Sequence, residues 1–146
     1  PGRPETSRRP LSWRGRTRMV VLIGAIDQGT QSSRFVLYDE SATVVAKHQQ
    51  ETKQIYPKPG WCEQDPWDIF KSVEVCISSA LKKAQEKYGD VVVKGIGITN
   101  QRETTIAWDR NTGEPLHNAI VWHDLRTADV VKEMVEKLGD RNAFRK

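Results

Sequence analysis

The chain has 146 residues, of which 37% are hydrophobic and 29% are charged. This length allows one domain with a modest core but not two full domains. The composition excludes a collagen-like repeat, a disulfide scaffold and a chain that is disordered throughout. The longest apolar run, residues 19–26, is too short to insert stably in a membrane. Cys62 and Cys76 have no metal-type spacing, so we expect a cytoplasmic protein with reduced thiols.

The excess of positive charge is concentrated at the start of the sequence. Residues 1–18 hold six arginines and one acidic residue, whereas residues 19–146 hold 17 basic and 18 acidic residues. We therefore expect no basic face and no nucleic-acid partner for the folded part. The first segment is rich in proline and poor in apolar residues, which predicts a disordered basic tail over residues 1–18. Two alternatives stay open for this tail: a mitochondrial or other targeting sequence, and an arm that binds RNA or a membrane surface.

After the tail, the sequence predicts three strands followed by an irregular loop. The strands are expected over residues 19–26, 33–38 and 43–49. The first strand is aliphatic on both faces, which is typical of a central strand covered on both sides. Residues 53–64 hold two prolines and a glycine, which indicate the loop.

A long helix follows, and its ends are well marked. Asp65 is a suitable N-cap, Pro66 fits the first helical position and Gly89 ends the helix. Its apolar residues recur at three- and four-residue steps and predict one buried stripe: Ile69, Phe70, Val73, Ile77, Ala80, Leu81 and Ala84.

The second half of the chain predicts three more strands and a last helix. The strands are expected over residues 94–100, 104–108 and 119–122, with a turn at residues 111–113. The last helix is expected to start near Asp124 or Thr127 and to stop at Gly139. Three antiparallel strands, a crossover helix and a further strand predict an α/β domain with a mixed sheet.

Residues 26–34 place an acid, a glycine, several hydroxyls and an arginine in the turn between two strands. Such a turn can bind phosphate and metal, because Gly29 would expose backbone N–H groups and Asp27 offers a hard oxygen for Mg²⁺. Thr30, Ser32, Ser33 and Arg34 would add donors. The alternative is a hairpin made of ordinary turn-forming residues.

A second polar segment, residues 97–104, directly follows a predicted buried strand. Open α/β sheets bind ligands at the carboxyl ends of their strands. Arg102 and Glu103 together offer donors and acceptors, which suit vicinal hydroxyls, and Trp122 would cover the carbon skeleton of a small polyol. The alternatives are an ion pair on a surface loop for the first two residues and a core position for the tryptophan.

Four motifs carry a resemblance to a known family. In chain order they are residues 27–34 (DQGTQSSR), 56–66 (YPKPGWCEQDP), 97–105 (GITNQRETT) and 118–127 (NAIVWHDLRT). Together they resemble the N-terminal part of the glycerol kinase family, in the carbohydrate-kinase group with the actin-like, ribonuclease-H-like fold. The resemblance implies that residues 19–146 are the N-terminal part of a first kinase domain. Its mixed sheet would be incomplete, with an antiparallel meander and crossover helices.

The resemblance also implies a role for each matched position. Asp27 corresponds to the aspartate near the metal. Arg102 and Glu103 correspond to the pair that holds the glycerol hydroxyls, and Trp122 corresponds to the tryptophan that lines the glycerol pocket. Contacts with the nucleotide phosphates are implied for Thr30, Gln31, Ser32 and Arg34. Gln31 stands where the family usually has Thr or Ser, which should perturb the phosphate contacts rather than abolish them.

The implied reaction is phosphorylation of glycerol by ATP with Mg²⁺, and a homo-oligomer is a further expectation from the family. No catalytic residue is assigned, because the expected base lies beyond Lys146, so we expect this chain alone to be inactive. Three alternatives stay open: another polyol or sugar kinase of the group, a non-catalytic fragment or binding module, and a nucleic-acid or surface binder that acts through the tail. The kinase interpretation requires the two polar segments to face a common cleft.

Overall fold

The computed structural model describes residues 19–140 and residue 142. The tail predicted to be disordered lies outside the described residues. In chain order the strands and helices are β1 (Val20–Gln28), β2 (Ser32–Tyr38), β3 (Val44–Glu51), β4 (Glu63–Gln64), α1 (Pro66–Tyr88), β5 (Val91–Asn100), β6 (Ala119–Ile120) and α2 (Ala128–Leu138). Neither helix of this described part is long and apolar enough to cross a membrane.

The main sheet has four strands in the order β3-β2-β1-β5. The first three strands form an antiparallel meander, and α1 then carries the chain back so that β5 pairs with β1 in parallel. Parallel neighbours need such a crossover, because the chain must return to the same end of the sheet before the next strand starts. The predicted α/β domain with a mixed sheet, a meander and a crossover helix is confirmed.

Helix α1 has the predicted ends, and its buried stripe is the predicted one only in part: Ala80 and Ala84 are buried, and Ile77 and Leu81 pack against the core. The Asp65 carboxylate accepts a hydrogen bond from the Trp67 amide at 2.8 Å, and Gly89 ends the helix with a φ of 75°. Phe70, which was expected in the stripe, is 56% exposed. The residues that are buried are Ser72, Cys76, Ala80 and Ala84. These small side chains let the helix lie close to the sheet, where Phe35 fills the core.

The main sheet is only partly covered in the described part of the chain. Helix α1 packs on β2 and β3, and α2 buries none of its residues. Ile23 on β1 is therefore 49% exposed, and Ile98 on β5 is 72% exposed. The expectation that the first strand is covered on both sides is therefore wrong at Ile23. An aliphatic strand indicates a tendency to be buried, but burial on both sides needs a second layer of elements.

The second half of the chain is less regular than the sequence predicts. Residues 104–108 form no strand, because Thr105 and Trp108 take part only in isolated bridges. Strand β6 is two residues long and pairs antiparallel with β4, which lies inside the segment predicted to be an irregular loop. Helix α2 starts after Thr127 and ends at Gly139, as predicted. The pairing of β4 with β6 joins distant parts of the chain, so local patterns do not reveal it.

Candidate functional site

The two polar turns lie side by side at one edge of the main sheet. Strands β1 and β5 run parallel, and their last residues, Gln28 and Asn100, are paired. The Gln101 amide then donates a hydrogen bond to the Gln28 carbonyl at 2.7 Å, which ties the second turn to the first. Since the carboxyl ends of parallel neighbours meet at one edge, the order of the strands brings the two turns together, as the sequence predicts.

A cleft of about 360 Å³ opens between the two turns. Most of the predicted site residues line it: Asp27, Thr30, Arg102, Glu103 and Trp122. The lining is completed by Gln28, Gly29, Asn100 and Gln101. Ser33 is fully buried and its hydroxyl is bonded to that of Ser72 at 2.6 Å, so the expectation that it offers a donor to a ligand is wrong. The remaining predicted residues lie beside the cleft. Gln31 and Ser32 line an adjoining depression, and Arg34 lines another depression on the sheet.

Asp27 is held by an ion pair on the surface of the sheet. Its carboxylate accepts a hydrogen bond from the Arg34 guanidinium at 3.3 Å, because the two residues are directly opposite in the antiparallel register. Arg34 also donates to the Gln49 side chain at 3.1 and 3.2 Å, which fixes its position. About half of each charged side chain is exposed, so the Asp27 carboxylate is accessible to a ligand in the cleft.

The donor set around Asp27 fits Mg²⁺ only when phosphate oxygens and water complete the shell. Within residues 19–140, no three His, Cys, Asp or Glu side chains form a group that could hold a metal ion by themselves. Mg²⁺ is commonly bound by one or two carboxylates together with substrate phosphates and water. A single accessible carboxylate in a cleft therefore suits a metal that arrives with a nucleotide.

The Thr30 hydroxyl and the Trp122 side chain are joined across the cleft. The Trp122 indole N–H donates a hydrogen bond to the Thr30 hydroxyl oxygen at 3.0 Å. An indole can only donate, so this bond leaves the hydroxyl hydrogen of Thr30 available to a further acceptor, such as an anionic oxygen. Trp122 is 56% exposed and its ring is edge-to-face with His123. The alternative that this tryptophan is a core residue is therefore wrong.

Arg102 and Glu103 lie at the tip of a tight turn and are both exposed. The turn is closed by the Thr104 hydroxyl, which donates to the Gln101 side-chain oxygen at 2.8 Å. Glu103 has a φ of 63°, a left-handed conformation that is uncommon for a residue other than glycine and that carries strain. The surrounding hydrogen bonds thus support the strained backbone of Glu103, and both charged residues line the cleft. Within the described residues, neither Arg102 nor Glu103 forms an ion pair, so both charged groups are available to a ligand.

Gly29 does not have the predicted role. Its backbone is outside the left-handed region, which the structure records at other glycines. Its N–H donates to the Ser32 carbonyl at 2.9 Å and closes the hairpin, so it does not point to a ligand. A Cβ at this position would lie 3.3 Å from the same carbonyl oxygen. The glycine therefore suits the close approach of two backbone segments, and its own N–H is used within the hairpin rather than for an anion.

A buried charged cluster supports the segment that carries Trp122. The Arg126 guanidinium donates to Glu63 at 2.7 Å and to Asp124 at 2.8 and 2.9 Å, and it lies over the Trp61 ring at 4.0 Å. Asp124 also accepts from the Cys62 amide. The cluster fixes the chain between β6 and α2. Its residues lie in two of the quoted motifs, 56–66 and 118–127, but no local pattern indicates that they pair.

This cluster predicts that the fold loses stability in acid. Hydrogen bonds from Asn118 and Arg126 hold the pKa of Glu63 below its ordinary value of 4.5, and hydrogen bonds led by Arg126 lower the pKa of Asp124 from 3.8. Groups with lowered pKa values stabilise the fold above their unfolded pKa, and this contribution is lost as the pH falls. We expect the free energy of unfolding, measured in urea, to fall below about pH 4.5. The fall should be shallower in Glu63→Gln, and an equal slope in both proteins would contradict the assignment.

Sequence reasoning missed the glutamines that connect the turns. Gln28 and Gln101 line the cleft, and Gln64 lies fully buried behind it. Their side chains bond one another: Gln101 donates to Gln28 at 3.2 Å and to Gln64 at 3.0 Å. The position of Gln28 and Gln101 at the ends of strands was a usable signal. Gln64 lies in the quoted motif of residues 56–66, but no local pattern there indicates that its side chain is buried behind the cleft.

Comparison with known proteins identifies the family. The sequence model of a protein family, the N-terminal domain of the FGGY family of carbohydrate kinases, matches residues 22–146. The chain belongs to the FGGY family of carbohydrate kinases. A glycerol kinase of Brucella anthropi is 50% identical to this FGGY chain over 121 residues, which are 83% of this chain and 24% of that protein.

Solved structures of other FGGY kinases share the fold. The glycerol kinase of Plasmodium falciparum, crystallised with ADP, has a TM-score of 0.78 and 44% identity over 82% of this chain and 24% of that chain. The gluconate kinase from Lactobacillus acidophilus has a TM-score of 0.73 and 28% identity over 82% of this chain and 23% of that chain. The expected actin-like ATPase fold is thereby confirmed. This FGGY chain spans about a quarter of the length of these relatives.

Proposed function

We propose that this chain supplies the phosphate hairpin and part of the glycerol site of a protein that transfers the terminal phosphate of ATP to a terminal hydroxyl of glycerol. One observation carries the proposal: Asp27 and Thr30 face Arg102, Glu103 and Trp122 across a single cleft. Phosphoryl transfer depends on holding the donor phosphate and the accepting hydroxyl in line and close together. The similarity to glycerol kinases supports glycerol as the acceptor, and the ADP in the Plasmodium falciparum structure supports ATP as the donor.

Glycerol would be bound at the turn after β5. The Arg102 guanidinium donates hydrogen bonds and the Glu103 carboxylate accepts them, so the pair matches two neighbouring hydroxyls, each of which both donates and accepts. The exposed Trp122 ring offers an apolar surface to the carbon skeleton. The accepting hydroxyl would then lie between this turn and the hairpin.

The phosphates would be bound at the hairpin after β1. Asp27 would hold Mg²⁺ through its accessible carboxylate, and Mg²⁺ supplies neutralisation of the phosphate charge when it is bound. Thr30 would donate its hydroxyl hydrogen to a phosphate oxygen. Gln31, Ser32 and Arg34 are proposed to contact the nucleotide from the adjoining depressions, and we assign no catalytic base among the described residues.

Binding to the chain itself gives the first test. In ¹⁵N-labelled protein, glycerol should shift the amides of Arg102 and Glu103 and the indole N–H of Trp122. Mg²⁺ with ADP should instead shift the amides of the hairpin, from Asp27 to Ser32. Glycerol shifts that are spread evenly over the surface, or that are absent at this cleft, would contradict the proposal.

A chimera tests the activity. The matched quarter of the Brucella anthropi glycerol kinase can be replaced by residues 22–146 of this chain, and glycerol-dependent ADP formation can be followed in a coupled assay. We expect turnover in the chimera and its loss when the graft carries Arg102→Ala. A folded chimera that binds ADP and has no activity with glycerol would overturn the assignment.

A different polyol or sugar is the second candidate for the acceptor. The cleft is open to solvent and, at about 360 Å³, leaves room beside a three-carbon ligand, and the gluconate kinase shares the fold at a TM-score of 0.73. Xylulose and gluconate in the same binding and activity assays distinguish the candidates. Preferred binding of either sugar over glycerol would favour this second function.

Replacing Trp122 by phenylalanine tests how the two turns cooperate. The variant keeps an aromatic wall but removes the N–H that bonds Thr30. We expect glycerol binding to weaken by about three- to tenfold in calorimetry, the range for one hydrogen bond. Trp108→Phe is the matched control, because Trp108 is 61% exposed and does not line the cleft. Equal affinity in both variants would show that the Trp122–Thr30 bond does not contribute to binding.

The cytoplasmic location, the homo-oligomer and the division into a tail and a first kinase domain stay predictions. Residues 1–18 carry the remaining alternative, an arm for RNA or for a membrane surface. Deleting them should abolish any salt-sensitive binding of RNA or anionic vesicles and leave glycerol binding unchanged.

A further inference from the structure

Gln64 is a fully buried side chain that touches both turns of the cleft without lining it. Its exposed fraction is 0%, and it lies on the short strand β4. Its side-chain amide nitrogen donates to the Thr30 carbonyl at 2.9 Å and to the Thr52 hydroxyl at 3.2 Å. Its side-chain oxygen accepts from Gln101 at 3.0 Å. The residue therefore spans the gap between the hairpin and the turn after β5.

These bonds belong to a closed ring of hydrogen bonds. Starting from the Trp122 indole, the ring passes to the Thr30 hydroxyl, and from the Thr30 carbonyl to Gln64. It continues from Gln64 to Gln101 and on to the Thr104 hydroxyl. The Thr104 oxygen accepts from the backbone N–H of Trp122 at 3.3 Å, which closes the ring.

Four of the proposed ligand-binding residues are part of this ring or enclosed by it. Thr30 and Trp122 are members, and Arg102 and Glu103 are the two residues between the members Gln101 and Thr104. The left-handed backbone of Glu103 needs such support, because strain persists only where the surroundings enforce it. The ring can therefore fix the distance between the hairpin that carries Thr30 and the turn that carries Arg102 and Glu103.

We propose that Gln64 is a positioning residue, which fixes the Thr30 hairpin relative to the Arg102–Glu103 turn before any ligand binds. The proposal rests on the proposed function for its effect on glycerol, whereas the ring itself is a property of the free protein. An amide meets the requirements at this position. It must donate to the Thr30 carbonyl and accept from Gln101, and a carboxylate would place a second acceptor against that carbonyl.

The test compares Gln64→Met with the parent chain by ¹⁵N NMR in the absence of ligand. Methionine keeps the length and the burial but forms none of the side-chain hydrogen bonds of Gln64. We expect the indole N–H resonance of Trp122 and the amide resonance of Glu103 to move. The chain has five tryptophans, so the Trp122 indole is assigned by its loss in Trp122→Phe.

Two controls separate positioning from a general loss of stability. Leu37→Ala removes a fully buried core side chain remote from the ring, and Gln50→Met makes the same substitution at an exposed position of β3. Both should leave the two resonances at the positions of the parent. Should Gln64→Met fail to fold, Thr104→Val opens the ring at a less buried position. It is then expected to move the side-chain amide resonance of Gln64.

Glycerol affinity gives the second measurement. We expect Gln64→Met to weaken glycerol binding about tenfold, and Thr104→Val to add little more in the double variant, because one break already opens the ring. Unmoved Trp122 and Glu103 resonances in folded Gln64→Met, or an unmoved Gln64 amide in Thr104→Val, would overturn the positioning role. Absence of glycerol binding by the parent would instead count against the proposed function, and the ligand-free resonances would still decide the role of Gln64.

Discussion

Arg102→Ala should weaken glycerol binding by about 30- to 100-fold, the largest effect on ligand binding of any single substitution in the cleft. The guanidinium is the one proposed cationic donor on the polyol side, and its hydrogen bonds to hydroxyls are charge-assisted. The side chain is exposed, so its removal leaves no buried group without a partner. Calorimetric titration of glycerol into the parent and the variant measures the ratio of dissociation constants.

Arg110→Ala is the matched control for this substitution. Arg110 is also an exposed arginine at a turn, but it lies outside the cleft. Its removal should leave the affinity within about twofold of the parent, because it changes the net charge by the same amount without touching the ligand. A similar loss of glycerol affinity in both variants would mean that overall charge, and not hydrogen bonding by Arg102 and Glu103, governs binding.

Arg126→Met should lower the midpoint of thermal unfolding by roughly 10 °C or more. The guanidinium is the shared partner of Glu63 and Asp124, whose side chains are 5% and 2% exposed. Removing it leaves two buried carboxylates close together without their cation, and an uncompensated buried charge is among the most destabilising changes known. Differential scanning calorimetry at neutral pH measures the shift.

Lys71→Met provides the comparison for an exposed pair. The Lys71 ammonium lies 3.2 Å from Glu74, and its side chain is 72% exposed. Exposed pairs contribute little because water screens them, so the midpoint should stay within about 2 °C of the parent. If Arg126→Met is no more destabilised than Lys71→Met, the cluster is not a structural support of the cleft.

Local patterns in the sequence were sufficient for the first half of the fold. The cap at Asp65 and the stop at Gly89 fix α1 through groups that lie within a few residues of each other. The meander follows in the same way from runs of strand-forming residues that are separated by short turns. Which helix face is buried could not be predicted with the same success, because the sheet selects small residues for close contact and leaves Phe70 outside.

The candidate site was predictable where polar residues directly follow strands. Asp27 and Arg102 could be placed near each other because parallel strands end at a common edge. The supports behind the cleft could not be predicted in this way. Gln64 and Arg126 act through partners that are remote along the chain, such as Gln101 and Glu63. Such contacts exist only after the fold has brought distant segments together.

The hydrogen bond between Thr30 and Trp122 has a consequence for the two proposed ligands. A glycerol molecule that moves the Trp122 indole would break its bond to Thr30 and so change the orientation of the hydroxyl that would bind the phosphate. A phosphate that moves the Thr30 hydroxyl would in turn change the position of the indole. Binding free energies are linked reciprocally, so whatever glycerol does to nucleotide affinity, the nucleotide must do to glycerol affinity by the same factor. The cleft thus forms one thermodynamic unit, in which the order of ligand addition leaves the total affinity unchanged.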